Sequence, residues 1–502
     1  MLFIFILSMA FYVLAFPPFN FFFLAFVSVA FLCFYLDRFL KNTVNIPYKT
    51  LFFRGYIWGV VVMGIGHLWI WELYRFSSVL SIAVLWTLYS LIMGLYIGLF
   101  ALGYAYFEKW CMPAIWILIE WLRSYGVFGN PNMLIGYSQA LNPILRYQAQ
   151  YGGIFWVGFL VLTINLILLY FFSTSKKNKI KLALGFFLVF ILLTVGYMNQ
   201  KTDQKNHLKS LNVAIIQGNH QQKDKLDHQD WNQIRRDYIQ LSMQVSNNPT
   251  LILFPETITP GLNLDYPPFV EALNIASKLT QSNILFGTPI FQNHKFYNTL
   301  SLMTPAGLSS QVYKKTQLMP FGEYWPMRPF FAKILKAYVP ENEYSPCKQN
   351  SPIHISSAAI GPALCLESVY PSFLRQMRKN GAHFFCVSVN NAWFFNSSAA
   401  ERQLHKTIFR AIENHCYLIQ AANSGISAVI SPSGTIQKQL PLNQQGILQA
   451  TISVGYPLSF YTKHGDLILY LCIAMLAISL LKKNIKKSPA LLNLHKDLDR
   501  KE

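Results

Sequence analysis

The sequence predicts a polytopic α-helical membrane domain of about eight spans, with a layered α/β domain inserted between spans seven and eight. Three observations carry this reading. Charged residues are 13% of the 502 residues and hydrophobics 53%, against about 25% charged in ordinary soluble domains, so much of the chain cannot face water. Through roughly the first 200 positions, apolar stretches of about the length that crosses a bilayer follow one another. After them comes a long region of soluble texture whose apolar runs are short and rich in Val, Ile and Phe, as buried strands are. Disorder, collagen and a small disulfide scaffold are excluded by the same composition. The formal charge of +20, from 42 Lys+Arg against 22 Asp+Glu, would suggest nucleic acid in a soluble protein. In a membrane protein it is what cytoplasmic loops collect beside anionic headgroups, and no nucleic-acid partner is expected. Seven cysteines leave at least one without an intrachain disulfide partner.

The spans are read near Leu2 to Phe16, Phe21 to Leu36, Gly55 to Leu73, Val79 to Phe107, Met112 to Leu122, Gly153 to Phe172 and Ile180 to Tyr197, with an eighth near Leu467 to Leu481. No basic residues precede the first and no small-residue cleavage site follows it, so it reads as a span and not as a removable signal. Loop charge sets the orientation. Arg38, Lys41, Lys49 and Arg54 follow span two; Lys176, Lys177, Lys179 and Lys181 follow span six; Lys482, Lys483, Lys486 and Lys487 follow span eight. The Pro17-Pro18-Phe19-Asn20 turn has no basic residue and the loop after span three has only Arg75. Even-numbered loops are therefore cytoplasmic, and the inserted domain emerges on the opposite face. The expected division is a transmembrane domain over 1–198, an extracytoplasmic domain over 199–463, and the last span with a basic cytoplasmic tail over 464–502.

Within the inserted domain, strands are expected at Leu211 to Gln217, Thr250 to Pro255, Asn283 to Thr288, Tyr297 to Met303, Ser309 to Tyr313, Ile353 to Leu366, His383 to Val389, Tyr417 to Ala422 and Ser427 to Ser431. Helices are expected at Trp231 to Asn247, Pro267 to Thr280, Pro371 to Asn380 and Ala399 to Asn414. Such alternation gives a layered α/β architecture, with chemistry at the strand ends. Three strand ends carry reactive groups: Glu256 after Ile252-Leu253-Phe254-Pro255, Lys315 after Tyr313-Lys314, and Cys365 after Ala363-Leu364. Singly, each has a plain structural explanation: a strand-end Glu caps a helix, a Lys is a solvated charge, a Cys is an inert apolar residue. Together they supply a nucleophile, a base for its proton, and a cation for an oxyanion.

The order Glu256, Lys315, Cys365, in the settings Phe-Pro-Glu, Tyr-x-Lys and Cys-x-Glu, resembles the carbon–nitrogen hydrolase (nitrilase) superfamily. The run Tyr313-Lys314-Lys315-Thr316-Gln317-Leu318-Met319-Pro320-Phe321-Gly322-Glu323-Tyr324-Trp325-Pro326 is similar to the signature of the apolipoprotein N-acyltransferase family. So are Leu14-Ala15-Phe16-Pro17-Pro18-Phe19, Glu120-Trp121-Leu122-Arg123, Gly136-Tyr137-Ser138-Gln139, Gln217-Gly218-Asn219, Tyr297-Asn298-Thr299-Leu300, Asn391-Ala392-Trp393-Phe394 and Asn423-Ser424-Gly425-Ile426-Ser427. Three places depart from that pattern. Phe395 and Asn396 stand where the family has Gly-Asp, Leu226 near an expected Trp, and Asn130-Pro131-Asn132 where Phe-Pro-Trp is usual. None of the three touches Glu256, Lys315 or Cys365, so they bear on lipid positioning and substrate range.

The resemblance implies a nitrilase-like α-β-β-α sandwich and an acyltransferase of lipoprotein biosynthesis. It implies a Gram-negative inner membrane as the site, with the catalytic domain periplasmic. An acyl chain would leave a phospholipid donor, pass through a thioester on Cys365, and end as an amide on the diacylglyceryl-cysteine of an apolipoprotein acceptor. Glu256 would be the base, Lys315 and the Leu366 backbone N–H the oxyanion holders, and Glu323 and Glu367 the orienting groups. Asn298, Tyr324 and Trp393 would contact substrate. A monomer is expected, with no cofactor and no metal, since the histidines form no ligand motif. Two alternatives stay open: a membrane-tethered nitrilase-type amidase, and a non-catalytic lipoprotein-binding paralogue. Cys347, Cys386 and Cys416 are read as inert or paired.

Overall fold

Strand runs that are apolar at every position need cover on both faces, and the α/β region supplies it. In the computed structural model, which describes all residues except 42–46, 127–128, 174–193, 195–196, 199–207, 247, 330–342, 349–350 and 488–502, twelve strands form two six-stranded sheets. The first sheet has β1 (Lys209–Gln217), β2 (Leu251–Leu253), β3 (Asn283–Gln292), β4 (Lys295–Thr304), β5 (Gly307–Lys314) and, at its other edge, β12 (Gly446–Val454), in the order β12-β1-β2-β3-β4-β5. The second has β6 (Ile353–Ile355), β7 (Ala358–Leu364), β8 (Phe384–Val389), β9 (Leu418–Ala422), β10 (Ser427–Ile430) and β11 (Ile436–Leu440), in the order β11-β10-β9-β8-β7-β6. Strands β1 to β3 and β7 to β9 are parallel; the outer pairs are antiparallel.

The alternation of side chains along a strand builds the layers. Val213, Ile215, Leu251, Leu253 and Leu285 point into the core shared with the second sheet. Their neighbours Ala214, Ile216, Ile252, Ile284 and Phe286 point outward, against Ile234, Tyr238, Phe269 and Leu273 of the Trp231–Met243 and Pro267–Thr280 helices. The Pro371–Lys379 and Ala399–Asn414 helices cover the second sheet, giving the α-β-β-α sandwich. The stretch Ile353 to Leu366 is two strands folded at Ser356 and Ser357, not one. Strands β11 and β12 add to those expected.

Among the described residues four helices are long and apolar enough to cross a membrane: Phe22–Lys41, Val79–Tyr106, Ala149–Phe171 and Leu467–Ile485. Span three begins earlier than expected and breaks: Tyr48–Gly66 and Leu68–Arg75 meet at 48° around His67. The Leu2–Leu14 and Met112–Leu122 helices are shorter, at 13 and 11 residues. Most of the expected span Ile180 to Tyr197 lies outside the described residues, as does the 198/199 boundary. The Ala149–Ser173 helix is interrupted at Gly152 and Gly153, where Gly153 has φ 70° and a Cβ would come within 2.5 Å of the Tyr461 ring.

The Ala399–Asn414 helix joins the two parts. Every residue from Arg402 to Asn414 is buried. Glu401, Arg402, Lys406, Phe409 and Glu413, at helical spacing, meet Asn20, Pro17, Asn132, Tyr137 and Ile154 of the membrane part in turn.

Candidate active site

Strands β2 and β5 run in the same direction, because β3 is parallel to β2 and two antiparallel steps follow. Their carboxyl ends therefore share one edge of the first sheet. Glu256 and Lys315 follow those ends, and Cys365 follows β7 of the facing sheet. Glu256 reaches this position because β3 is thinned there: a Cβ on Gly287 would lie 2.4 Å from Thr257 N and 2.5 Å from Pro255 O. The Lys315 backbone is held on both sides, its N–H donating to Asn298 O (2.8 Å) and its carbonyl accepting from Cys347 N (3.0 Å).

Cys365 has φ 47°, left-handed backbone that a non-glycine residue adopts at a cost of order 1–3 kcal/mol. The strain lifts the thiol off the strand as the Cys365–Val369 3₁₀ turn begins. Its carbonyl is anchored by Ser368 Oγ (2.7 Å) and Gln403 Nε2 (3.2 Å). The Leu366 N–H lies in the first turn, whose amides have no carbonyl within the turn to bond.

The charged groups form one network. Lys315 Nζ lies 2.8 Å from Glu256 Oε1 and 2.9 Å from Glu323 Oε2. Asn298 Nδ2 donates to the same two carboxylates, at 2.9 and 2.7 Å, and Met319 N–H to Glu323 (2.7 Å). Lys315 is 2% exposed; burial opposes its charge, and the attraction of Glu256 and Glu323 outweighs burial and holds it well above the ordinary ammonium range. Burial pushes the Cys365 thiol up strongly, Glu256 adds to this, and Lys315 and the Asn390 N–H oppose it. Cys365 thus rests as a thiol beside an anion, and would need a base before it could attack.

Glu367 was expected to orient the site's cations and protons, and its contacts are different. Oε1 accepts from Tyr313 OH (2.7 Å), Thr316 N (2.6 Å) and Gln317 N (3.1 Å), and Oε2 from Leu364 N (2.8 Å). It staples the lysine loop to the cysteine strand, and burial pushes its carboxyl up to about 7. Asn298 is spent on the carboxylates. Tyr324 sits at the turn after Lys315, its carbonyl accepting from Phe321 N (2.8 Å). Trp393 packs edge-on against Phe76 (4.9 Å), Phe394 against Trp69 (4.9 Å), and Phe395 stacks on Phe76 (5.9 Å) under the Arg75 guanidinium (4.2 Å). This aromatic clasp ties the loop after β8 to the broken third span. Phe395, where the resemblance expects Gly, has φ 43°. Asn132 meets Lys406 and Asn396 meets Asn443, while Leu226 is exposed.

Sequence reading missed Gln403, Asn390 and Lys225. Gln403 and Lys225 stand among other polar and charged residues with nothing in the pattern to single them out, and Asn390 faces Cys365 through its backbone. All seven cysteines are free. Among the described residues no group of three or more His, Cys, Asp or Glu could hold a metal.

A Glu–Lys–Cys cluster at the strand ends of an α-β-β-α sandwich defines the class: residues 212–456 match the carbon-nitrogen hydrolase family. Residues 8–167 match the apolipoprotein N-acyltransferase N-terminal domain. An apolipoprotein N-acyltransferase of Aquifex aeolicus is 30% identical over 70% of this chain and 80% of its own. One of Coxiella burnetii is 27% identical over 92% and 97%. A solved CN-hydrolase superfamily protein of Xanthomonas campestris, with an arsenic adduct in its active site, covers 57% of this chain and 97% of its own at 20% identity and a TM-score of 0.39. The chain belongs to the apolipoprotein N-acyltransferase family, and is an acyltransferase with apolar helices of a membrane protein.

Proposed function

We propose that the protein moves an acyl chain from a phospholipid, through a thioester on Cys365, to the amino-terminal amine of a diacylglyceryl-cysteine on an apolipoprotein. The observation that carries this reading is the Lys315–Glu256–Glu323 network beside a strained, neutral thiol, in a domain wedged onto apolar helices by the Ala399–Asn414 helix. Glu256 takes the thiol proton as Cys365 attacks the ester carbonyl. Lys315 and the Leu366 N–H hold the oxyanion, and the proton passes to the departing lysophospholipid. Glu323 fixes Lys315 and Asn298, and Tyr324 and Trp393 line the lipid approach. In the second step the acceptor amine attacks the thioester.

The proposal extends to architecture: eight spans, a transmembrane domain over 1–198, a catalytic domain over 199–463 on the periplasmic face of a Gram-negative inner membrane, and a cytoplasmic tail, working as a monomer. Both substrates keep their tails in the bilayer, which is why the catalytic face lies against the spans. A membrane-tethered amidase would use the same cluster but release the acyl group to water or ammonia. A binding paralogue would form no acyl-enzyme.

The test is intact-protein mass spectrometry after incubation with phospholipid vesicles. Wild type gains one acyl mass on Cys365 and passes it to a diacylglyceryl-cysteine peptide; Cys365→Ala gains none and transfers none. Transfer by Cys365→Ala at the wild-type rate would end the thioester mechanism.

A further inference from the structure

Close to the cluster is a second buried lysine that the mechanism above does not use. Lys225 lies on the short Gln222–Leu226 helix that follows β1, and is 1% exposed, as closed in as Lys315 at 2%. Its Nζ has no hydrogen-bond partner among the described residues. The helix is held at two points: to the site, where Gln222 Oε1 accepts from Asn390 Nδ2 (2.9 Å), whose backbone N–H faces Cys365, and to the Trp231–Met243 helix, where Lys225 O accepts from Trp231 Nε1 (2.8 Å). The group that acts on the amine is Glu256, at the end of β2; His220, in the loop after β1, feels the charge of Lys225 and has Asp237 at 3.7 Å and Asp224 nearby. A buried amine with no partner does not carry a charge cheaply. Burial pushes the Lys225 ammonium down to about 7, with Glu256 opposing, so near neutrality a large share of it is a free base.

The second half of the reaction needs such a base. An α-amine carries a proton up to about pH 8, so the acceptor arrives as R–NH₃⁺. Forming the C–N bond and breaking the C–S bond leaves an amide N–H, so nitrogen must lose two protons. One ends on the departing Cys365 sulfur, relayed by Glu256. The first, which must go before nitrogen has a lone pair to attack with, needs another acceptor.

We propose that Lys225 is that acceptor: its unpartnered, buried amine takes the ammonium proton of the incoming diacylglyceryl-cysteine and then releases it to solvent. The inference rests on the thioester reading above. It makes Lys225 a catalytic residue of transfer and not of acylation, since acylation moves a single proton from thiol to leaving alkoxide.

The test separates the steps in the full-length enzyme. Acyl-enzyme is formed from phospholipid vesicles, then mixed with a diacylglyceryl-cysteine peptide from about pH 6 to about pH 9. Lys225→Met replaces an unpartnered amine with apolar atoms of similar shape, a change that is neutral or stabilising, so the variant folds. It should form acyl-enzyme at the wild-type rate and transfer about tenfold more slowly near neutrality, where about a tenth of an amine that titrates at about pH 8 is already free. That gap should shrink toward the alkaline end, where bulk water has already deprotonated the acceptor. Lys225→Arg, which cannot give up its proton, should behave as Lys225→Met does. Equal losses in both steps, a transfer loss that is constant with pH, or unchanged transfer would each overturn the proposal. Absence of acyl-enzyme in the wild type would instead overturn the thioester reading.

Discussion

Glu256 and Glu323 share two partners, Lys315 and Asn298, and differ in what else they hold. Glu323 also takes the Met319 N–H, which makes it part of the turn after Lys315, whereas Glu256 stands at a strand end facing the thiol from the opposite sheet. Glu256→Gln is expected to stall acylation by about two to four orders of magnitude and to slow titration of Cys365 by a thiol reagent. Glu323→Gln should slow turnover and leave thiol titration near the wild-type rate; equal losses would mean that the base function is shared. A different residue adds a pH dependence of its own. Burial raises Asp466 to about 6, against the pull of Arg375 and Arg410, so its folded form favours the neutral acid. The stability this contributes is full below the ordinary carboxyl range of about 4 and is lost as pH rises through about 6. Asp466→Asn keeps the neutral form, so it should melt with wild type at about pH 4 and above it at about pH 8, by about 3 kcal/mol at most.

The Glu367 staple is what makes two loops one element. Four donors converge on a carboxylate; an amide would turn its own N–H groups onto one or more of them. Glu367→Gln is therefore expected to cost about 1–3 kcal/mol in denaturant unfolding and to slow acylation by letting the lysine loop drift from the cysteine strand. A variant with wild-type unfolding would show the staple to be dispensable. The sequence already showed the elements flanking it. Strands β2, β7 and β8 are covered on both faces and read as continuous apolar runs, and the Pro267–Thr280 and Ala399–Asn414 helices run where periodicity and proline set them. It was silent on β11 and β12, which are edge strands and only partly buried; their polar alternation does not differ from a loop's. Glu256, Lys315 and Cys365 were visible because each ends an apolar strand. The Glu367 contacts were not, because its partners are mostly backbone amides, which carry no residue signature.

For the whole molecule, loop charge makes a prediction of its own. A reporter active only outside the cytoplasm should be active when fused after Asn206 and silent when fused after Lys483; the reverse would remove the spatial argument for lipoprotein substrates. The clasp of Trp393, Phe394 and Phe395 on Trp69 and Phe76, and the Ala399–Asn414 helix between sheet and spans, mean that the catalytic domain has no finished surface on that side. The helix presents Arg402, Lys406, Phe409 and Glu413 to the membrane part while its neighbour Gln403 holds the carbonyl of Cys365. For anyone wishing to handle the enzyme without detergent, the gene cannot simply be cut at the domain boundary. Residues 208–456 expressed alone should aggregate or bind a hydrophobic dye strongly. A soluble version will come only from redesigning that one helix face, and with it the support under Cys365.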